Sequence, residues 1–171
     1  MGSLMADNPK TGIVTVTYNS APVIDDFMVS LLAQEHTNFV LYVVDNASSD
    51  DTLEQLSKFQ DPRIVIIRNP TNVGVAEGNN IGIRAALRAG CKFVLLINND
   101  TTFNSALLFQ LHSGLLAHRG DMIVPKIVYF DDPGKIWAAG GYFSRLWGSS
   151  RHFGFGKKDI QQFDQPRLVQ P

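Results

Sequence analysis

The chain has 171 residues, with 16 acidic against 15 basic side chains and a single cysteine. That length holds one ordinary domain with a sizeable core, and the near-balance of charge excludes a global field for nucleic acid or an anionic membrane. One cysteine, Cys91, excludes an internal disulfide framework and suits a reducing compartment; it follows a glycine at the start of an apolar strand and reads as a buried structural thiol.

No apolar run reaches the length of a membrane span, and the N-terminus lacks the apolar region of a signal peptide. A cytoplasmic protein is the expectation, with the inner membrane face open to it only by peripheral association. Residues 1–11 read as a disordered lead or cloning scar.

In chain order, Ile13 to Tyr18 is β-branched and aromatic and predicts a first strand, ending at Asn19-Ser20. Pro22 suits a first helical turn, and Val23, Ile24, Phe27, Met28, Leu31 and Leu32 then recur at helical spacing. Phe39 to Val44 predicts a second strand, closing on Asp45-Asn46-Ala47-Ser48-Ser49-Asp50. Asp51 to Phe59 predicts a short helix, and Ile64 to Ile67 a third strand before Asn69-Pro70.

Ala76 to Ala89 is helical in pattern, with Gly78, Gly82 and Ala86 forming a bare stripe at i, i+4 and i+8. Two glycines inside a helix cost roughly 1 kcal/mol each relative to alanine, so close approach to the sheet or to a ligand should compensate. Gly90 ends the helix. Phe93 to Ile97 is a continuous apolar run, which predicts a strand buried on both faces in the middle of a parallel sheet, and it stops at Asn98-Asn99-Asp100.

A further helix follows through Leu107, Leu108, Leu111, Leu115 and Leu116, then a strand segment from Ile123 to Pro125 and a turn at Asp132-Pro133-Gly134. Ile136 to Phe143 is strand-like, with Gly140-Gly141 as a bulge or close-packing site. After Arg145 a loop is expected. The alternation of strands and helices predicts a mainly parallel sheet covered on both faces, an α/β protein, and there is no internal repeat.

A parallel sheet carries Thr17-Tyr18-Asn19, Asp45-Asn46 and Asn98-Asn99-Asp100 to one edge, where such sheets bind ligands. Tyr18 could stack on a base, Asp45 could accept from a base N–H, and Asp100 could reach a diphosphate through a divalent metal. The Asn-Asn-Asp tripeptide is equally ordinary turn and cap chemistry when taken alone. Neither G-x-G-x-x-G after the first strand nor a G-x-x-x-x-G-K-[ST] loop is present, which favours phosphates bridged by metal.

Val16-Thr17-Tyr18-Asn19, Asp45-Asn46-Ala47-Ser48-Ser49-Asp50, Asn72-x-Gly74-x-Ala76-x-Gly78-Asn79 and Asn98-Asn99-Asp100, in this order, resemble the family 2 glycosyltransferases. The resemblance covers roughly Gly12 to Gly141 and implies the GT-A fold, a Rossmann-like three-layer α/β/α arrangement. Asn-Asn-Asp and Trp137 to Gly141 resemble a rhamnosyltransferase-like subset.

What the resemblance implies is inverting, metal-assisted transfer of a sugar from a nucleotide-diphospho-sugar, a UDP-sugar or dTDP-rhamnose, to a saccharide or lipid-linked acceptor. Thr17, Tyr18, Asn19 and Asp45 would line the base pocket. Asn72, Gly78 and Asn79 would approach the ribose-diphosphate, with Asn98 and Asn99 beside them, and Asp100 would bind Mn²⁺ or Mg²⁺.

Two positions depart from the family pattern. Asn98 stands where the D-x-D-type motif begins with a carboxylate, and no Glu-Asp segment supplies the usual base, so the catalytic base is unassigned. Asp159 and Asp164 lie in a polar tail and read better as solvated loop residues. The domain layout that follows is a nucleotide-sugar-binding domain over 12–145 and a tail over 146–171 leading to an acceptor-binding part that this chain lacks.

Two other classes compete with a transferase. A non-catalytic nucleotide-binding or partner-docking relative is suggested by the absent base. A nucleotidyltransferase is disfavoured because Tyr18-Asn19 stands where that class carries a Gly-rich basic loop. Among the remaining candidates, His36, His112 and His118 read as solvated or capping. His152, among Arg145, Arg151, Lys157 and Lys158, reads as a diphosphate clamp or, better, as solvated surface. Trp137 reads as an acceptor-stacking ring or a core aromatic.

Overall fold

The computed structural model describes residues 8–144 and 148–166. Arg145, most of the predicted lead and the end of the predicted tail lie outside the described residues. The chain divides into two compact units, one running to Leu108 and one from Phe109.

The first unit is a four-stranded parallel sheet in the order β3-β2-β1-β4. Its strands are β1 (Thr11–Thr17), β2 (Phe39–Asp45), β3 (Ile64–Arg68) and β4 (Phe93–Leu96). Helices α1 (Ile24–Leu32), α2 (Thr52–Ser57) and α3 (Gly74–Arg88) connect them, and α4 (Leu107–His118) begins where the unit ends. The predicted mainly parallel α/β sheet flanked by helices is therefore present.

Alternation along the strands assigns the two faces. Ile13, Leu41 and Val43 pack with Ile24, Phe27, Met28 and Leu31 of α1, with Leu56 of α2, and with Leu108. Val14 and Tyr42 face the other way and pack with Ala86 of α3 and with Cys91, which is buried as predicted. Phe27 meets Phe103 edge to face, with ring centroids 6.0 Å apart.

The glycine stripe of α3 is explained by the sheet. A Cβ at Gly78 would stand 2.9 Å from both Val16 methyl carbons, and one at Gly82 would collide with Val14 Cγ1. On the strand side, a Cβ at Gly12 would collide with that of Ala86. Each bare position lets the helix settle onto β1, and that packing offsets the propensity cost.

One strand differs from expectation. β4 is an edge strand of this sheet, paired to β1 alone among the described residues, and Leu96 is 48% exposed. The two-sided apolar run belongs instead to β1 and β2, the interior strands. An uninterrupted apolar run cannot tell an edge strand from a central one, because periodicity reports the character of the faces and not the number of neighbours.

The second unit holds short antiparallel pairs. β5 (Ile127–Val128) pairs with β6 (Ile136–Ala138), and β7 (Gly141–Ser144) with β8 (Ser149–His152). The strand predicted at Ile123 to Pro125 is displaced to Ile127–Val128, since Pro125 has no N–H to give a ladder. The loop predicted after Arg145 contains β8. Ile136 to Phe143 is divided at a bulge, as its glycines predicted: Ala139 N–H donates to Phe153 O at 3.2 Å and Phe153 N–H donates to Gly140 O at 2.9 Å, so two residues oppose one. Gly140 has φ +81°, where glycine costs least.

His112 is 6% exposed, which corrects the solvated reading; it follows Leu111 on a helix that also carries Leu108, Leu115 and Leu116. His118 is exposed, and His36 Nε2 lies 3.1 Å from Pro9 O and 3.2 Å from Asn38 O. No helix among the described residues is long and apolar enough to cross a membrane.

Candidate functional site

The register of the parallel sheet brings the polar strand ends together. Thr17 stands opposite Asp45 in the β1–β2 ladder, and Val14 opposite Leu96 in the β1–β4 ladder. The chain leaving β4 therefore passes the end of β1, and Asn99 Nδ2 donates to Val16 O at 2.7 Å and to Ser20 Oγ at 3.2 Å.

A cleft of about 370 Å³ opens at this edge, lined by Val16, Tyr18, Ser20, Asn46, Asn72, Gly74, Val75 and Asn99. That size lies within the range of small-ligand sites. Its lining comes from three strand ends and from the start of α3. Tyr18 is 54% exposed, so its ring is available as a flat apolar surface.

Asn46 is 2% exposed and anchors one wall. Its Oδ1 accepts from Asn69 Nδ2 at 2.8 Å, and its Nδ2 donates to Asn72 Oδ1 at 3.3 Å and to Gly74 O at 3.2 Å. Asn72 Oδ1 also accepts from Gly74 N–H at 2.9 Å, which fixes the turn into α3. Asparagine suits this place because a single side chain must both donate and accept.

Asp45 is 1% exposed and its carboxylate is engaged. Thr17 Oγ1 donates to Oδ1 at 2.9 Å, and Ser48 gives its hydroxyl to Oδ1 and its N–H to Oδ2 at 3.1 Å. These three bonds hold the turn through Ala47, whose φ of +61° lies in the region side chains avoid.

A second set of bonds ties the loop after β1 to the loop after β2. Asn19, at φ +53°, gives its N–H to Ser48 Oγ at 3.0 Å and accepts from Ser49 N–H at 2.8 Å. Ser20 N–H donates to Thr52 Oγ1 at 2.7 Å, and Ala21 N–H to Asp50 Oδ2 at 3.0 Å. The Thr52 hydroxyl, with the N–H groups of Ala21 and Thr52, holds the Asp50 carboxyl below its ordinary range. The two loops behave as one laced rim.

Of the predicted residues, Tyr18, Asn72 and Asn99 line the cleft. Thr17, Asn19 and Asp45 build its support. Gly78 faces Val16, and Asn79 is half-buried beside it on α3. Asn98 and Asp100 are exposed on the turn after β4, where Thr101 Oγ1 donates to Asn98 O at 2.7 Å. Sequence reasoning carried Asn46 to the sheet edge without giving it a role, and left Ser20, Ser48, Asp50 and Thr52 out of the site. Their signal was position: short hydroxyls and acids immediately after a strand end are turn-formers.

In the second unit, Lys126 is clamped between Asp159, at 2.6 Å, and Asp164. The ammonium holds the Asp159 carboxyl below its ordinary range, and these partners raise the lysine in return. An acid held ionised in this way is a weak base, and it is not the solvated loop residue expected. Arg151, Lys157 and Lys158 are exposed, and Trp137 is 44% exposed with its ring 5.7 Å from that of His152.

Comparison with known proteins places this geometry in context. Residues 12–166 match the family model described as glycosyl transferase family 2. The chain is 28% identical over 100 residues to the UDP-Glc:alpha-D-GlcNAc-diphosphoundecaprenol beta-1,3-glucosyltransferase WfaP of Escherichia coli, covering 58% of this chain and 39% of that protein. Staphylococcus aureus TarS 1-349, solved in complex with UDP-GlcNAc, superposes with TM-score 0.58 at 23% identity, over 71% of this chain and 38% of its own.

The mannosyltransferase PcManGT from Pyrobaculum calidifontis, solved with GDP-Man and Mn²⁺, gives TM-score 0.57 at 22% identity, over 63% of this chain and 32% of that one. These likenesses show the Rossmann-like GT-A fold. The chain spans less than half the length of the curated relatives it matches.

Proposed function

The chain belongs to glycosyl transferase family 2, and on that premise we propose that it transfers a sugar from a nucleotide-diphospho-sugar to a hydroxyl of a saccharide or lipid-linked acceptor, with inversion at the sugar's anomeric carbon. The observation that carries this reading is the convergence of three strand ends and the α3 turn on one cleft. A lipid-linked acceptor would bring the protein to the cytoplasmic membrane face as a peripheral partner.

In this reading Tyr18 stacks on the base, and the laced rim of Asn19, Asp45, Ser48 and Asp50 keeps the pocket formed before the donor arrives. Preorganisation of this kind lowers the ordering cost of binding. Asn72 and the N-terminal turn of α3, from Gly74 to Asn79, face the ribose-diphosphate, where the helix N–H groups and dipole suit negative charge. A UDP-sugar is the donor favoured by the WfaP and TarS likenesses. Asn98-Asn99-Asp100 and Trp137 to Gly141 keep dTDP-rhamnose as the second donor.

Asp100 offers an exposed carboxylate next to the exposed Asn98 amide, and no group of three His, Cys, Asp or Glu gathers among the described residues. That donor set fits Mg²⁺ or Mn²⁺ held chiefly by substrate phosphates with one carboxylate from the protein. The ion would supply Lewis-acid neutralisation of the leaving diphosphate. Asn99, tied to Val16 and Ser20, fixes the turn that presents Asp100.

The second reading, a nucleotide-binding relative without transfer, draws on Asn98 in place of a carboxylate and on Lys126 occupying both tail aspartates. Calorimetric titration with UDP and dTDP, with and without Mn²⁺, separates the outcomes. Metal-dependent binding that Asp100→Ala abolishes and Asp45→Ala weakens supports the donor site. Absence of binding to either diphosphate would overturn it. Binding without transfer from UDP-glucose or dTDP-rhamnose to saccharide acceptors would favour the second reading.

A further inference from the structure

We propose that the second unit carries a saccharide-binding ledge built on Trp137 of β6 and His152 of β8, with Phe143 of β7 on the His152 face. Trp137 is 44% exposed between two buried neighbours, Ile136 at 0% and Ala138 at 7%. Its backbone is thus anchored while its indole stays at the surface. The ring is also placed: it lies 5.7 Å from the His152 imidazole, centroid to centroid, with 30° between the planes.

The β7–β8 register extends the ledge. His152 stands opposite Gly141, and the next pair on that face is Phe143 with Ser150. Phe143 is 63% exposed. Gly141 brings no side chain to this face, and the floor between the two aromatic groups is backbone: a Cβ at Gly141 would collide with the Arg151 carbonyl oxygen. The bulge at Ala139 and Gly140 shifts the register just after Trp137, and bulges of this sort re-aim side chains. Arg151 pairs with Tyr142 and faces the opposite side.

The chemistry of such a surface suits a pyranose. The C–H groups on one face of the sugar carry slight positive charge and meet the negative face of an indole, while its hydroxyls radiate in the ring plane. The imidazole nitrogens of His152 and the hydroxyl of Ser150 stand at the rim as donors and acceptors for those hydroxyls. A ring held in one orientation loses little entropy on binding. The inference rests on the reading of the chain as a sugar transferase, in which the bound saccharide is an acceptor.

The test is a titration of the ¹⁵N-labelled chain with chitotriose, maltotriose and a rhamnose disaccharide, following the Trp137 indole N–H cross-peak, which W137F identifies by its loss. Saturable movement of that peak by one of these sugars is expected. W137A should weaken that sugar about tenfold, and W137F only about threefold, as stacking area is lost in steps. H152A should weaken it severalfold, and the UDP isotherm should not change in any variant.

Unaltered sugar binding by a folded W137A protein would overturn the ledge. So would a panel that leaves the indole peak still while UDP binds. Movement of the peak by phosphatidylglycerol vesicles instead of sugars would overturn it too, and would assign the face to a bilayer. Loss of UDP binding in the wild-type chain would bring down the donor reading alone, since the sugar titration is read on a separate unit.

Discussion

Up to Leu108 the apolar side chains are spent on a core, and from Phe109 onward they are mostly left at the surface. The first unit buries Ile13, Phe27, Leu31, Phe39 and Leu41 almost completely. In the second, the buried apolar residues among those described are Leu111, Ile136 and Ala138, while Met122, Phe130, Phe143, Phe155 and Ile160 are more than half exposed. Charge divides the same way. Residues 1–108 carry seven basic and eleven acidic side chains, and residues 109–171 eight and five, for net charges of −4 and +3.

The contrast teaches that near-neutral overall composition concealed two surfaces of different use. The first unit is organised to hold a cleft rigid. The second presents aromatic and basic groups that its own packing does not consume, and such surplus is where binding function is sought.

The largest expected difference is in core truncation. Phe27→Ala should cost about 3–5 kcal/mol, by loss of buried area and of the contact with Phe103. Phe143→Ala should stay within about 0.5 kcal/mol, as an exposed substitution does. Denaturant melts of the two variants check this, and similar losses would erase the distinction between the units.

Added volume gives a smaller difference. Gly82→Ala puts a methyl group into Val14 in the sheet and should cost about 1–3 kcal/mol despite the better helix propensity. Gly114→Ala in α4 meets only the terminal methyl of Ile123, which can turn aside. It should be neutral or stabilising by up to about 1 kcal/mol. A Gly82→Ala protein as stable as wild type would mean that α3 can lift from β1, and UDP binding at the cleft would then show whether the lift matters.

Much of this contrast was legible in the sequence, though unevenly. The strand ends, the glycine stripe and the Gly140 bulge each have a local cause, so residue pattern was enough. The edge position of β4 and the burial of His112 depend on what lies beside them, and no periodicity carries that information. At the site, Tyr18 and Asn99 were found from their places at strand ends, and Asn72 from the family resemblance. Asn46 was placed at the edge without a role and Ser48 was missed, because their work is to bridge loops far apart in sequence, and only the assembled sheet edge shows Asn46 between Asn69 and Gly74.

The smallest effect expected is in acid. Arg63 donates to both oxygens of Asp61, from Nε at 2.9 Å and Nη2 at 2.6 Å, and this fork pulls the carboxyl from its ordinary value near 3.8 to about 2. A folded-state value below the unfolded one means that the pair's stabilisation is whole above about pH 4. It is lost as pH falls toward 2, because the folded state must then give up a proton-free carboxylate that the unfolded state has already protonated. Partial exposure of the pair limits the loss to about 1 kcal/mol. In the second unit Asp159 is lowered by Lys126, so the clamp there weakens in the same direction. Asp61→Asn should therefore flatten the acid limb of the first unit's melting curve and leave the second unit's, followed at the Trp137 indole, unmoved. A limb that flattens in both would show that the two units unfold as one.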